Sequence, residues 1–378
     1  MANAIFTATK MHTLNFFPIG NADCTRIDLH NGQKILWDYD SRHDPSSKRI
    51  DLAKTLKEDL DKSKRDYFDV VAFTHADKDH YSGFSEFFHL DHAKKYQGNG
   101  RIRINELWVP AAVILETNLE DEALLLRTEA RYRLKEGKGI RVFSKPNALK
   151  AWLASVGIAL EDRQHLITSA GTTVSGFTKE EHGIEFFVHA PFSESIEDGK
   201  TIDRNNSALV VQATFSFNQC ERKLILGSDL DSDVWVDIVN VSRHYNRCHR
   251  LEWDIFHISH HCSYKALNKD EKGTHKTDPI EELDWLFRNQ GSNYSKIISP
   301  SDPIPRVDTK QPPHRQAAKY YKNVKVLHEG EFIVTMEHPS KSAPDVLVIT
   351  LDCSGAKVKK SPLGAAAYIT SRPSPRFG

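Results

Sequence analysis

Nowhere in these 378 residues do about 18 apolar residues run together, the length that a membrane-spanning helix requires. Met1 to Lys10 also lack the long apolar core of a signal peptide. Neither sign of charge predominates, because 51 Lys and Arg offset 51 Asp and Glu. The molecule as a whole therefore has no attraction for nucleic acid or an acidic membrane, and any polyanion site has to be a local patch. Cysteine is scarce. Cys24, Cys220, Cys248, Cys262 and Cys353 are scattered, odd in number and free of any CxxC pair. This argues against a disulfide framework and a structural zinc knuckle, and it fits a reducing cytoplasm. What is present, 39% hydrophobic and 27% charged residues, is the composition of a soluble globular chain with room for one large or two ordinary domains.

The most informative stretch is Thr74-His75-Ala76-Asp77-Lys78-Asp79-His80. It follows the short apolar run Val70-Val71-Ala72-Phe73, which reads as a buried strand delivering a polar loop to a sheet edge. Two histidines and two carboxylates on one turn cannot all reach one ion. His75 and Asp77 would serve one metal and Asp79 and His80 a neighbour, as a two-metal hydrolytic centre requires.

Other segments repeat the strand-then-polar-residue pattern. His12 to Phe17 and Lys34 to Trp37, with the turn Asn31-Gly32 before the second, read as a hairpin whose second arm ends on Asp38. Leu52, Leu56 and Leu60 mark an amphipathic helix. Glu185 to Val188, Ser207 to Thr214 and Lys223 to Leu226 read as strands that lead to His189 and Asp229. Asp254 to Ile258 leads to Ser259-His260-His261-Cys262-Ser263, then a helix over 279–288 and a strand at Lys296 to Ile298. Gln316 to Tyr321 reads as helical, and strands are expected at 324–327, 332–336 and 346–351. Between Ala112 and Thr178 a Glu/Leu/Arg-rich helical pattern, 120–135 and then 148–156, carries no ligand-type cluster and reads as a helical insertion. The expected organisation is one domain over 11–355 containing this insertion, with a basic flexible tail over 356–378.

A His-rich loop, a lone His, a lone Asp and a final His, in that order at strand ends, resemble the metallo-β-lactamase fold. That resemblance implies an α/β αββα sandwich, two packed mixed sheets flanked by helices, with metals at one edge. Asp77 stands where the family's H-x-H-x-D-H has its second His, an oxygen donor that shifts preference from zinc toward manganese or magnesium without excluding zinc. Within that superfamily the chain resembles the soluble hydrolase domain of ComEC-type DNA-uptake proteins and their stand-alone relatives. The fragments that carry this are Ile19-Gly20-Asn21-Ala22-Asp23-Cys24, Trp37-Asp38, Asn205-Asn206-Ser207-Ala208, Leu226-Gly227-Ser228-Asp229, His260-His261-Cys262-Ser263, with Cys262 in place of a glycine, and Pro312-Pro313-His314.

The resemblance implies a centre of two divalent ions, Zn or Mn. One would take His75, Asp77 and His189, the other Asp79, His80 and His261, with Asp229 bridging and a shared water ionised near neutral pH as nucleophile. Asp38 would orient a ligand histidine or that water. His189 can equally be a hydrogen-bonded core residue, with His182 its rival. Of His260 and His261 only one can face inward if both continue a strand; His261 is the expected ligand and His260 its outer support. Asp231 and Asp233 are expected at a helix start, Cys262 as a small buried residue, and His314 either as a donor to substrate or as a helix cap. The implied activity is metal-dependent phosphodiester hydrolysis, with nucleic acid as substrate and Lys78, Tyr264 and Lys265 available beside the metals. Two alternatives stand beside it: a small-molecule hydrolase acting on a cyclic nucleotide, phosphocholine ester or lactone, and a module that works only in a larger complex, docked through the insertion and tail. No membrane partner is expected.

Overall fold

The computed structural model describes residues 11–42, 47–192, 196–197, 200–201, 204–217 and 220–360. The first half of the chain runs through β1 (His12–Phe16), β2 (Thr25–Asp28), β3 (Lys34–Trp37), α1 (Leu52–Lys62) and β4 (Tyr67–Ala72). It continues through α2 (Lys78–Tyr81), α3 (Phe84–Phe87), β5 (Arg103–Pro110), α4 (Ala111–Leu115), α5 (Asp121–Glu136), β6 (Ile140–Phe143), α6 (Pro146–Ser155) and β7 (Ile167–Thr168). The second half opens with β8 (Ile184–Ala190), the short pair β9 (Ile196–Glu197) and β10 (Lys200–Thr201), β11 (Val210–Phe217), β12 (Cys220–Leu226) and α7 (Ser232–His244). Then come β13 (Trp253–His257), α8 (Glu281–Asn289), β14 (Gly291–Ser299), α9 (Arg315–Leu327), β15 (Glu331–Val334), a short pair β16 (Pro339–Ser340) and β17 (Ala343–Pro344), β18 (Leu347–Asp352) and β19 (Gly355–Val358).

Nine strands form one sheet in the order β19-β18-β1-β2-β3-β4-β5-β6-β7, and six form another in the order β15-β14-β13-β12-β11-β8. Both are mixed. The first is antiparallel from β19 to β3 and parallel from β3 to β7. The second is parallel from β15 to β12 and antiparallel from there to β8. Alternation along β4 shows how the layers arise. Val71 faces the helical cover with Leu52, Leu56, Leu60, Leu126 and Leu134, while Val70 and Ala72 on either side of it face the other sheet with Phe186, Val188, Leu224 and Ile255. On the far side of the second sheet Trp235, Leu283, Phe287 and Tyr321 supply the second cover. The result is the expected αββα sandwich. Each large apolar side chain fully buried in these layers stabilises the fold by about 1.5–3 kcal/mol.

The structure corrects several expectations. The Asn31-Gly32 turn, with Gly32 at φ 89, joins β2 to β3, and β1 pairs with β2 and β18 instead of directly with β3. Strand β2, Thr-Arg-Ile-Asp, is half charged, so its period carries little apolar signal. The segment 112–178 is not a helical insertion, since β6 and β7 continue the parallel sheet beside β5 and α5 buries Ala123, Leu126, Ala130 and Leu134 over it. Val324 to Leu327 is the last turn of α9 and not a strand, because Tyr320, Tyr321 and Val324 recur at helical spacing on its buried face. The start of the expected tail, Ala356 to Val358, belongs to β19, paired with β18; residues 361–378 lie outside the described residues.

Cys220 and Cys353 form a disulfide across 133 residues of chain. The separation hides the pair from any local reading. It joins the first residue of β12 to the residue that follows β18, and it removes the cysteine argument for a reducing compartment. Among the described residues no helix is long and apolar enough to cross a membrane.

Candidate metal centre

The two sheets present their chemistry where parallel strands end. Asp38 follows β3, the His75–His80 loop follows β4, Asp229 follows β12, His261 follows β13 and Pro300 follows β14. Backbone bonds tie these ends together: Asp38 N–H donates to the Ala72 carbonyl at 2.8 Å, Tyr39 N–H to His80 at 3.0 Å, Leu209 N–H to Thr74 at 2.9 Å and His260 N–H to Ser228 at 3.0 Å. Gly227 has no room for a side chain, since an added Cβ would lie 2.7 Å from Ser259 Oγ and 2.8 Å from the His257 carbonyl. That close approach lets Asp229 turn toward the histidines.

Asp79, His80, Asp229 and His261 place one ligand atom each within 4.8 Å of one another. His261 Nε2 is 3.2 Å from Asp79 Oδ2 and 3.3 Å from Asp229 Oδ2, and His80 Nε2 is 3.6 Å from Asp229 Oδ1. Asp229 thus stands between the two imidazoles, one oxygen toward each. His80 Nε2, His75 Nε2 and Asp229 Oδ1 are buried without a hydrogen-bond partner. Buried polar atoms left without a partner are costly, and two imidazoles with two carboxylates are the donor set that a Zn²⁺ or Mn²⁺ ion takes. These four residues fit one divalent cation.

The outer nitrogens of both rings are anchored. His261 Nδ1 lies 2.9 Å from the Pro300 carbonyl, and His80 Nδ1 lies 3.0 Å from Asp38 Oδ2. Asp38 is itself fully buried and accepts from the Thr74 N–H and hydroxyl, both at 2.8 Å. Asp38 therefore holds His80 by its outer nitrogen, the support that metal-binding histidines need, and with His80 and Asp23 it forms a second group whose ligand atoms lie within 4.8 Å of one another. Asp38→Asn is expected to weaken divalent-ion affinity about 10–100-fold while leaving the fold intact. Calorimetric titration checks this, and unchanged affinity would refute the role.

Charge balance follows from the same geometry. Burial works against the charged form of His80, yet Asp38 and Asp229 carry its pKa well above the ordinary imidazole value. Burial likewise opposes charge on His261, and Asp229 and Asp79 overcome it. Burial would raise Asp229, but His261 and His80 hold it well below the usual carboxylate range. Without a cation, protons on the two rings neutralise the carboxylates, and an incoming ion must displace them.

The remaining expected residues are placed differently. His75 lies beside His80, ring centroids 4.0 Å apart, and its Nε2 is 3.7 Å from Asp77 Oδ2. Asp77 opens toward solvent and is engaged by Arg204 Nη1 at 3.0 Å. His189 is not brought to the cluster. On β8, Ile184, Phe186 and Val188 face the other sheet, so alternation sends His189 to the opposite face, where Nε2 meets the Arg250 carbonyl at 2.9 Å and burial lowers its pKa to about 4. His182 sits on the Thr178 N–H, also apart. His260, His261 and Cys262 do not continue β13; all three have left-handed φ of 53, 50 and 66. This turn sends His261 inward and leaves His260 Nδ1 3.5 Å from Asp231. Asp231 and Asp233 begin α7. Cys262 is buried, its thiol pushed up to about 12 by that burial. His314 precedes α9 without capping it; its Nδ1 accepts from the Tyr264 N–H at 3.3 Å.

Sequence reasoning assigned no role to four groups here. Asp23 is buried against His261 Nδ1 at 3.7 Å and His257 Nε2 at 3.9 Å, and burial raises its pKa to about 7. Thr74, Arg204 and Glu116 complete the surroundings. Asp23 stood within the Gly20 to Cys24 turn already singled out; Arg204 and Glu116 carry no local signal.

An αββα sandwich with a buried His/Asp cluster at the ends of its parallel strands defines the class of protein. No family model matches the chain, and no curated protein does. Among solved structures, unliganded yeast PDE1 is similar over 86% of this chain and 97% of that one, at 10% identity and a TM-score of 0.44. The metallo-β-lactamase GOB-18 from Elizabethkingia meningoseptica is similar over 87% and 93%, at 11% identity and 0.31. The class B3 di-zinc metallo-β-lactamase LRA-12 from an Alaskan soil metagenome is similar over 76% and 95%, at 11% identity and 0.28.

Proposed function

We propose that this protein is a metal-dependent hydrolase that cleaves phosphodiesters, with nucleic acid as its substrate. The observation that carries the reading is the convergence of Asp79, His80, Asp229 and His261 with their ligand atoms within 4.8 Å and their outer ring nitrogens anchored. Structural zinc sites are typically closed by four Cys or His ligands. Here two donors are carboxylates, and Asp79 keeps 29% side-chain exposure, so the cluster faces solvent as a catalytic site must. A bound ion supplies Lewis acidity and an acidified water at neutral pH. The chain's own residues do the rest: Asp38 and the Pro300 carbonyl hold the two imidazoles, and Asp229 spans them. The phosphodiester reading draws support from the motif resemblance to the DNA-uptake hydrolase domain.

Metal-free protein should be inert. With Mn²⁺ or Zn²⁺ restored, labelled single- and double-stranded DNA and RNA are expected to be degraded, and EDTA should return activity to background. Turnover of bis-para-nitrophenyl phosphate with every polymer left intact would sink the nucleic-acid assignment. No turnover of either by metal-loaded protein would sink the hydrolase.

A further inference from the structure

The two halves of the centre are unequal. On one side four donors converge. On the other, where His75, Asp77 and His189 were expected to hold a second ion, His189 faces the opposite side of its sheet with Nε2 on the Arg250 carbonyl, and Asp77 is already engaged. Arg204 reaches Asp77 Oδ1 through Nη1 at 3.0 Å, while its Nε and Nη2 grip Glu116 at 3.1–3.2 Å and 2.7 Å. Glu116 is buried, so its carboxylate fixes the guanidinium in place, a forked, bidentate grip that a lysine could not reproduce.

We infer that the centre holds a single divalent cation, on Asp79, His80, Asp229 and His261, and that Arg204 supplies the positive charge on the His75–Asp77 side in place of a second ion. The inference rests on the hydrolase reading and narrows it. Three observations support it independently: the loss of His189 as a third protein donor, the occupation of Asp77 by a permanent cation, and the buried carboxylate that holds this cation there. A second divalent ion would have to displace a guanidinium from two carboxylates or bind beside it against like charge. In a two-metal hydrolase each ion neutralises an oxygen of the in-line displacement; here a guanidinium stands where one of those charges would be, as arginine clamps do at transferring phosphoryl groups.

The test counts ions and does not depend on activity. Metal-free protein is equilibrated with Mn²⁺ or Zn²⁺, dialysed, and assayed for bound metal by mass spectrometry, with calorimetric titration of the same samples. The wild type should retain one equivalent, His75→Ala one, and His261→Ala none. Because Arg204→Met alone strands the buried Glu116 carboxylate, the informative variant is Arg204→Met with Glu116→Gln, its fold checked by circular dichroism. It should take up a second equivalent at least 10-fold more tightly than the wild type does. Two equivalents of similar affinity in the wild type would overturn the inference while leaving the hydrolase reading intact. So would unchanged second-ion affinity in the double variant. A wild type that retains no metal overturns both.

Discussion

Asp229→Ala should abolish metal retention and lower metal-dependent hydrolysis on the order of 10³-fold, about 4 kcal/mol of transition-state stabilisation. Asp229 lies against both imidazoles, 3.6 Å from His80 Nε2 and 3.3 Å from His261 Nε2, and is nearer to His80 than Asp79 is at 4.0 Å. Each ring also depends on it for its raised pKa. Without Asp229 the rings keep their outer anchors on Asp38 and Pro300 and lose the carboxylate that a cation would share with them. The fold should persist, because the lost partner is not apolar and each ring keeps a carboxylate beside it, Asp38 at His80 and Asp79 at His261. Asp231→Ala is the matched control. It lies two residues on, at the start of α7 beside His260, and should change hydrolysis less than about 10-fold, the lower bound for loss of a group that merely supports a ligand. Equal losses in the two variants would remove Asp229 from the centre.

The contrast between these two aspartates shows what the chain's linear order discloses. Short apolar runs ending in acid or histidine marked Asp38, Asp79, His80, Asp229 and His261, because buried parallel strands deliver polar groups at their ends. Those five converge. His189 fitted the same local pattern and lies elsewhere, since a period of 2 fixes the alternation of β8 but not which of its faces meets the other sheet. His261 joins the cluster and His260 faces Asp231, and a left-handed turn, φ 53 and 50, separates them where a continuing strand was expected to. Arg204 and Glu116 were invisible because they are 88 residues apart and belong to no motif. Helical periodicity found α5 and α6 near their bounds, yet β6 and β7, four and two residues long, were too short to register. A stretch of sheet and its cover was therefore read as an appendage.

That misreading leads to a second large effect, on stability. If 112–178 were a dispensable insertion, a buried charge on α5 would cost little to remove; as the cover of the nine-stranded sheet it should cost much. Glu129 on α5 is 0% exposed and fully engaged. It accepts from Arg133 Nε at 2.7 Å and the Asp91 N–H at 3.0 Å on one oxygen, and from the His92 N–H at 3.0 Å and Nδ1 at 2.7 Å on the other. Glu129→Ala leaves the buried Arg133 guanidinium with only Asp91 as a charged partner and should destabilise the protein by about 3–5 kcal/mol. The sign of the pH dependence follows from the same contacts. Burial would raise the Glu129 pKa, but Arg133 and the hydrogen bonds outweigh it and hold it below the ordinary 4.5. A depressed folded-state pKa contributes stability that is complete above the unfolded value and disappears as pH falls through the folded one. Urea unfolding should therefore show the full gap between wild type and variant at pH 7, narrowing progressively below about pH 4.5. A gap under about 1 kcal/mol at pH 7, the range of an exposed ion pair, would return this segment to the status of an appendage; a gap that widens in acid would mean that Glu129 is protonated in the fold.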